Sequence, residues 1–303
     1  MSHNHKHNHF SNSNIIRNNK LLFATILNFT ITIIEVAGGM LSNSVALLSD
    51  ALHNFGDGVG IFMVFLANKV SKRKATKERT YGFKRIEILT AIFNGILLIA
   101  ICIYLIFKAY KRFINPEPID GAIMVIVATI GLIANFLAMA LLKSDADKNI
   151  NIKAAYLHLL ADSLSSIAVL VGGILIYFYR LYWFDPIITF IISLYIFKET
   201  WFIIREAYLI IMQATPRNLD LVEVKKRLET IDEIDNVHHV HAWNLDDTQI
   251  HFECHIDLKR DCNISETEPL IHKIKDFLHD EFNIAHTTIQ FEYNCCNNKS
   301  MIY

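Results

Sequence analysis

Two copies of one pattern, His-x-x-x-Asp, lie in apolar stretches long enough to cross a membrane: His53 with Asp57, and His158 with Asp162. An Asp at the centre of a membrane helix costs about 2.5 to 3.5 kcal/mol on insertion scales, so ionisable groups at that depth read as functional. A spacing of four puts each His and its Asp on one helix face, one turn apart. Two such faces brought together offer two imidazole nitrogens and two carboxylate oxygens, a donor set suited to Zn²⁺. Metal binding inside a membrane is therefore the chemistry to expect, and a metal transporter is the leading reading.

The elements that must position these groups follow from hydropathy. Six apolar segments, at about 21–41, 45–70, 86–113, 121–142, 154–179 and 184–212, each approach the roughly 20 residues a spanning helix needs. The second carries His53 and Asp57, preceded one turn earlier by Asp50, and the fifth carries His158 and Asp162. Gly56 and Gly60 form a small-residue face that permits close helix approach. Lys69, Lys72, Arg73, Lys74, Lys77, Arg79, Lys84 and Arg85 crowd the connection between segments two and three, which is expected to be a solvated basic loop beside anionic headgroups. The connections flanking segments two and five on the other side are nearly free of Lys and Arg. The basic loop therefore belongs inside, and an even number of spans puts both termini in the cytoplasm of a multi-pass protein of the cell (inner) membrane.

After Pro216 the composition becomes that of a soluble domain. Helical spacing over 219–231, alternation over 237–245 and 249–258, a second helix over 265–282 and alternation over 286–292 give the order α-β-β-α-β, a ferredoxin-like two-layer α+β domain. Ser265 with Glu268 reads as a capping box. Alternation puts Ile250, Phe252, Cys254 and Ile256 on one face of the second strand and His251, Glu253, His255 and Asp257 on the other. His238 and His241 bracket the first strand. His239, His251, His272 and His279 read as solvated surface residues. The domains are thus 1–20, a His-rich tail; 21–213, the spanning domain; 214–293, a metal-binding and dimerisation domain; and 294–303, a Cys-containing tail.

With 303 residues, 52% hydrophobic and 19% charged, the chain is too apolar for a soluble domain and too charged to be spans alone. A net charge of -1 gives no signature of a nucleic-acid partner. The five cysteines form no evenly spaced framework and read as reduced thiols, with Cys295 and Cys296 as candidate metal ligands. His3, His5, His7 and His9 alternate with polar residues in a tract suited to weak metal binding. No His-Glu-x-x-His occurs, which removes the common metalloprotease signature.

The segments SNSVALLSDALHNFGD (42–57), YGFKRIEILTAIFNG (81–95), NIKAAYLHLLADSLSS (151–166) and VHHVHAW (237–243) resemble the cation diffusion facilitators, in particular the bacterial zinc, cadmium and cobalt resistance exporters and their animal zinc-transporter relatives. The resemblance covers about 21–292. It implies a homodimer that exchanges cytoplasmic metal for protons by alternating access, with His53, Asp57, His158 and Asp162 as the transport site. The two histidines favour zinc over manganese or iron, with Cd²⁺ and Co²⁺ as further substrates. Glu35 and Asn135 fall where the family carries polar groups, and with Asp50 they are expected to support the site or line its path. Arg85 matches a basic residue that pairs with an acid at the end of span six, here Glu206, and locks the dimer. The family also binds regulatory zinc in its cytoplasmic domain. The matching positions are His238, His255, His286 and Glu292, followed by Cys295 and Cys296, with His241 nearby.

Two other classes fit some of these residues. A haem-binding electron carrier would use His53 and His158 as axial ligands, but an Asp one turn from each His occupies what should be an apolar haem face. A membrane metal sensor without transport shares every residue of the leading reading.

Overall fold

The computed structural model describes residues 26–146, 150–294 and 299–302. The chain divides into two compact units, one of residues 1–63 with 93–202 and the other of 64–92 with 203–303.

The first unit is built from long helices: α1 (Ile26–Ser42), the N-terminal part of α2 (Val45–Ser71), most of α3 (Ile86–Ile114), α4 (Gly121–Ala146), α5 (Ile150–Tyr179) and most of α6 (Phe184–Ile211). A backbone in lipid must satisfy its own polar groups, and a helix does so within the segment. Four of these helices, α3, α4, α5 and α6, are long and apolar enough to cross a membrane. Among the described residues that makes four such helices against the six segments expected. The described part of α1 is shorter, and α2, though 27 residues long, is made less apolar by Asp50, His53, Asn54 and Asp57. The residues that make α2 interesting are the ones that weaken its hydropathic signal.

Asn43, with φ of 59°, turns the chain between α1 and α2. The first amides of α2 are capped from another helix. Asp185, at the start of α6 and fully buried, accepts from Ser44 Oγ (2.5 Å), Val45 N (2.9 Å) and Ala46 N (3.1 Å). These amides would otherwise be orphaned donors at a helix start. Gly56 and Gly60 face α3: a Cβ there would meet Leu98 Cδ2 at 2.3 Å and Asn94 Nδ2 at 2.7 Å. Close approach of α2 and α3 therefore depends on both glycines. Large apolar side chains such as Ile133, Phe136 and Phe178 remain exposed, an outer surface suited to lipid.

The second unit holds the α2–α3 connection and the C-terminal domain, formed by α7 (Leu221–Leu228), β1 (Ile234–Asn244), β2 (Ile250–Leu258), α8 (Ile264–Phe282) and β3 (Ile284–Glu292). The sheet order is β1-β2-β3, with β1 and β2 antiparallel and β2 and β3 parallel. Phe252, Cys254 and Ile256 of β2 pack with Val224 and Leu228 of α7 and Ile274 and Leu278 of α8 in one core. That core is why β2 alternates so cleanly. Burial pushes the Cys254 thiol up to about 12, which removes it as a metal ligand.

Asp220 caps α7 by accepting from Val222 N (2.9 Å) and Glu223 N (3.3 Å). The capping box expected at Ser265 is not formed. The helix α8 already begins at Ile264, so Ser265 lies inside it, and the cap position, Asn263, makes no side-chain bond. In β1 a bulge interrupts the register between His238 and His241, with His239 at φ of 51°. Residues of the tail lie along that bulge: His239 N donates to Ser300 O (3.3 Å) and Val240 N to Met301 O (2.8 Å). Lys299 pairs with Asp257 at 2.5 Å.

Candidate functional site

The helices α2 and α5 bring the two His-x-x-x-Asp motifs together. His53 Nε2 lies 3.4 Å from Asp57 Oδ2 and 3.8 Å from Asp162 Oδ1. His158 Nε2 lies 3.4 Å from Asp57 Oδ2 and 3.6 Å from Asp162 Oδ2. The four side chains thus form a ring in which nitrogen and carboxylate alternate. Zinc bonds of about 2.0–2.1 Å place neighbouring tetrahedral ligands about 3.3 Å apart, close to these four separations. Across the ring the imidazole centroids are 6.2 Å apart. Asp162 is almost fully buried and both its carboxylate oxygens lack a hydrogen-bond partner, as do Asp57 Oδ2 and His53 Nδ1. Buried acceptors left this way are costly and suit a cation.

Around the ring the structure adds a set of partners. Asp50 does not reach it, but accepts from Ser165 Oγ (2.5 Å) and Ser166 Oγ (3.2 Å), joining α2 to α5. Glu35 accepts from Asn54 Nδ2 at 2.9 Å, joining α1 to α2 beside His53. Asn135 is buried with both amide atoms unpartnered. Sequence reading missed Asp185, Ser165 and Ser166. The pairing of Asp185 with Pro186 at the start of an apolar run was a signal of a helix start, whereas nothing in the sequence pointed the serines at Asp50.

The C-terminal domain holds a second cluster. His238 and His255 face each other across β1 and β2, and Glu292 comes from β3. Glu292 lies 3.3 Å from His238 Nε2 and 2.7 Å from His255 Nδ1. Their donor atoms all lie within 4.8 Å of one another, the one group of this kind among the described residues. Both ring nitrogens of His238 are buried without a hydrogen-bond partner, so the trio fits a metal that needs nitrogen and oxygen donors.

His286 is not part of the trio. In the parallel register it stands opposite His251, and the position opposite His255 is Gln290. The His286 ring packs on His251 at 4.7 Å between centroids. His251, expected at the surface, is buried, while His241 meets the His239 ring edge to face at the bulge rather than joining the cluster. Cys295, Cys296 and the His3, His5, His7 and His9 tract lie outside the described residues. Within the chain Glu206 pairs with Arg217 at 2.6 Å, and Arg85 Nε is buried without a hydrogen-bond partner.

Apolar spanning helices around a His and Asp ring, followed by a small metal-suited α+β domain, define a membrane protein built to handle a cation. The chain belongs to the cation efflux family. Residues 21–212 match the cation efflux transmembrane domain, and residues 216–294 match the cytoplasmic domain of cation efflux proteins. It is 34% identical over 304 residues to a cadmium, cobalt and zinc/H(+)-K(+) antiporter of Bacillus velezensis, covering 100% of this chain and 95% of that one. The metal cation efflux system protein CzcD of Cupriavidus metallidurans is 35% identical, covering 91% of this chain and 87% of its own. The zinc transporter ZitB of Escherichia coli is 33% identical, covering 98% and 93%. A metal-bound C-terminal domain of the CzcD transporter shares 30% identity over 24% of this chain and 99% of its own, with a TM-score of 0.22.

Proposed function

We propose that this protein exports zinc from the cytoplasm in exchange for protons, with His53, Asp57, His158 and Asp162 as the transport ligands. Cd²⁺ and Co²⁺ are further substrates, as the names of the relatives above imply. The observation that carries the reading is the alternating ring, with four nitrogen–oxygen separations of 3.4–3.8 Å. A tetrahedral ion needs the two diagonals to be as short as the sides, so zinc binding must fold the ring and draw α2 towards α5. Two carboxylates and two neutral imidazoles neutralise Zn²⁺, which lowers the cost of holding it at low dielectric. Protons compete for the same four groups, which couples metal release to proton loading.

The spanning domain is a six-helix bundle in which α1 and α2 complete the set. It sits in the inner membrane with both termini cytoplasmic, and the C-terminal domain has ferredoxin-like topology and supports a homodimer in which Arg85 and Glu206 take part. His238, His255 and Glu292 hold a regulatory metal ion. Asp50 and Glu35 tie neighbouring helices around the ring, and Asn135 lines its path.

The test is flux in inverted vesicles loaded with an acidic lumen. Zinc should enter, and a lumenal dye should report protons leaving as it does. Zinc entry that ignores the pH gradient, with no proton movement, would defeat the exchange reading, while proton leakage without zinc entry would defeat transport itself. A sensor without transport predicts zinc binding and no flux.

A further inference from the structure

The α2–α3 connection is exposed over residues 72–81, in keeping with the solvated basic loop expected, and it is folded. Thr76 and Arg79 exchange two backbone bonds of 3.1 Å, and Gly82, with φ of 70°, turns the chain back. A Cβ there would lie 3.3 Å from Arg73 O, a tight contact, and the positive φ favours glycine. The folded loop sets the Tyr81 ring 5.4 Å from that of His251 and Lys84 Nζ 3.5 Å from Asp246.

Between this loop and the ends of β2 and β3 lies a cavity of about 500 Å³, lined in part by Arg73, Lys84, His251 and His286 and by the donors Thr80 and Gln249. No carboxylate lines it. Of the nearby acids, Asp246 and Glu87 are engaged by other groups, and Asp247 is exposed outside the lining. Asp246 accepts from Thr248 N (2.9 Å) and Gln249 N (2.8 Å) besides pairing with Lys84, and Glu87 accepts from Ser71 Oγ at 2.5 Å. Arg73 has no ion-pair partner among the described residues. Burial, and then the neighbouring His286, hold the His251 imidazole below its ordinary value, offset in part by Asp246. Lys84 and Arg85 immediately precede α3, one of the four helices able to span a membrane, and Ser71 at the end of α2 is also part of the wall. A basic cavity whose lining residue Lys84 lies two positions before a helix able to span suits anionic headgroups. Tyr81, more than half exposed, has the amphipathic ring favoured at that depth.

We propose that this cavity binds the phosphate of an anionic lipid headgroup, held by Arg73, Lys84 and the His251–His286 pair. The placement at headgroup level rests on the membrane reading proposed above, but binding is read without any metal flux. Full-length protein in detergent would be titrated with phosphatidylglycerol, phosphatidylcholine or inorganic phosphate and followed by native mass spectrometry. Phosphatidylglycerol should be retained over phosphatidylcholine. Arg73→Gln and His286→Asn should each weaken retention about fivefold, the effect of one lost basic contact near a membrane surface. Lys77→Gln, a basic change in the same loop away from the cavity lining, should leave it unchanged. Equal retention of the two lipids would overturn the proposal. So would an equal loss in Lys77→Gln, which would mean diffuse attraction by the loop. Retention of inorganic phosphate without lipid preference would replace the headgroup by free phosphate and overturn the lipid assignment.

Discussion

His53, Asp57, His158 and Asp162 sit on two helices and alternate around a ring open across its diagonals, whereas His238, His255 and Glu292 sit on three strands and close to within 4.8 Å. The donor chemistry is nearly the same, but the mechanics are not. Helices in a bundle can shift against one another, so an open ring can tighten on an ion and loosen to release it. Neighbouring strands are fixed by their ladder, so the strand cluster suits an ion held for its effect on the domain. Cargo and resident metal thus call for different scaffolds even when the ligands match.

The sharpest way to break this comparison is to remove a carboxylate from the ring. Asp57→Ala or Asp162→Ala should reduce zinc flux in proteoliposomes to background, while zinc still raises the melting temperature of the C-terminal domain. Loss of both effects from one ring change would mean the clusters are not separate. His53→Asp should retain part of the flux and broaden selectivity towards Mn²⁺, a metal that prefers oxygen donors. An unchanged metal profile would remove His53 from the ligand set.

The strand cluster should act through stability. Zinc at 100 times its Kd should stabilise the folded domain by about 2.7 kcal/mol if it binds only that state. His238→Ala should abolish this gain in thermal unfolding and His286→Ala should leave it intact. The opposite result would restore His286 to the ligands.

The smallest effect concerns Lys299 and Asp257, beside the strand cluster. A hydrogen bond from Lys299 holds the Asp257 carboxyl below its ordinary value, and the same contact raises Lys299. A lowered carboxyl stabilises the fold above about pH 3.9 and stops doing so as pH falls through its folded value. A raised Lys stabilises below about pH 10.4 and stops as pH rises through its folded value. Lys299→Ala should therefore lower the melting temperature slightly at pH 7, and the difference should fade as acid protonates Asp257. A shift of equal size at pH 7 and in acid would show that Lys299 acts by packing.

The ring was legible because its period is local. A spacing of four within one helix needs no tertiary information, and only the meeting of α2 with α5 had to be inferred. The strand cluster was legible in part. Alternation separated the faces of β2 correctly, but the parallel register of β3 decides which residue stands opposite His255, and nothing in the sequence fixes that register. His286 therefore stands opposite His251, four residues before Gln290, which is the residue opposite His255. His251 was read as surface because strand parity reports a face and not what covers it; the α2–α3 connection, distant in sequence, is what buries it. The capping box at Ser265 failed for a simpler reason, since Ile264 already belongs to the helix.

The tail segment at Ser300 and Met301 has a consequence for solubility. It occupies the amides of His239 and Val240, where β1 would otherwise present open donors to a strand from another molecule. An uncovered strand edge is a template for aggregation, and a bulge covered by a short segment of the chain's own backbone blunts it. Trimming residues 299–302 would then open that edge and make the protein stick to itself, so these few residues act as a guard rail for the sheet.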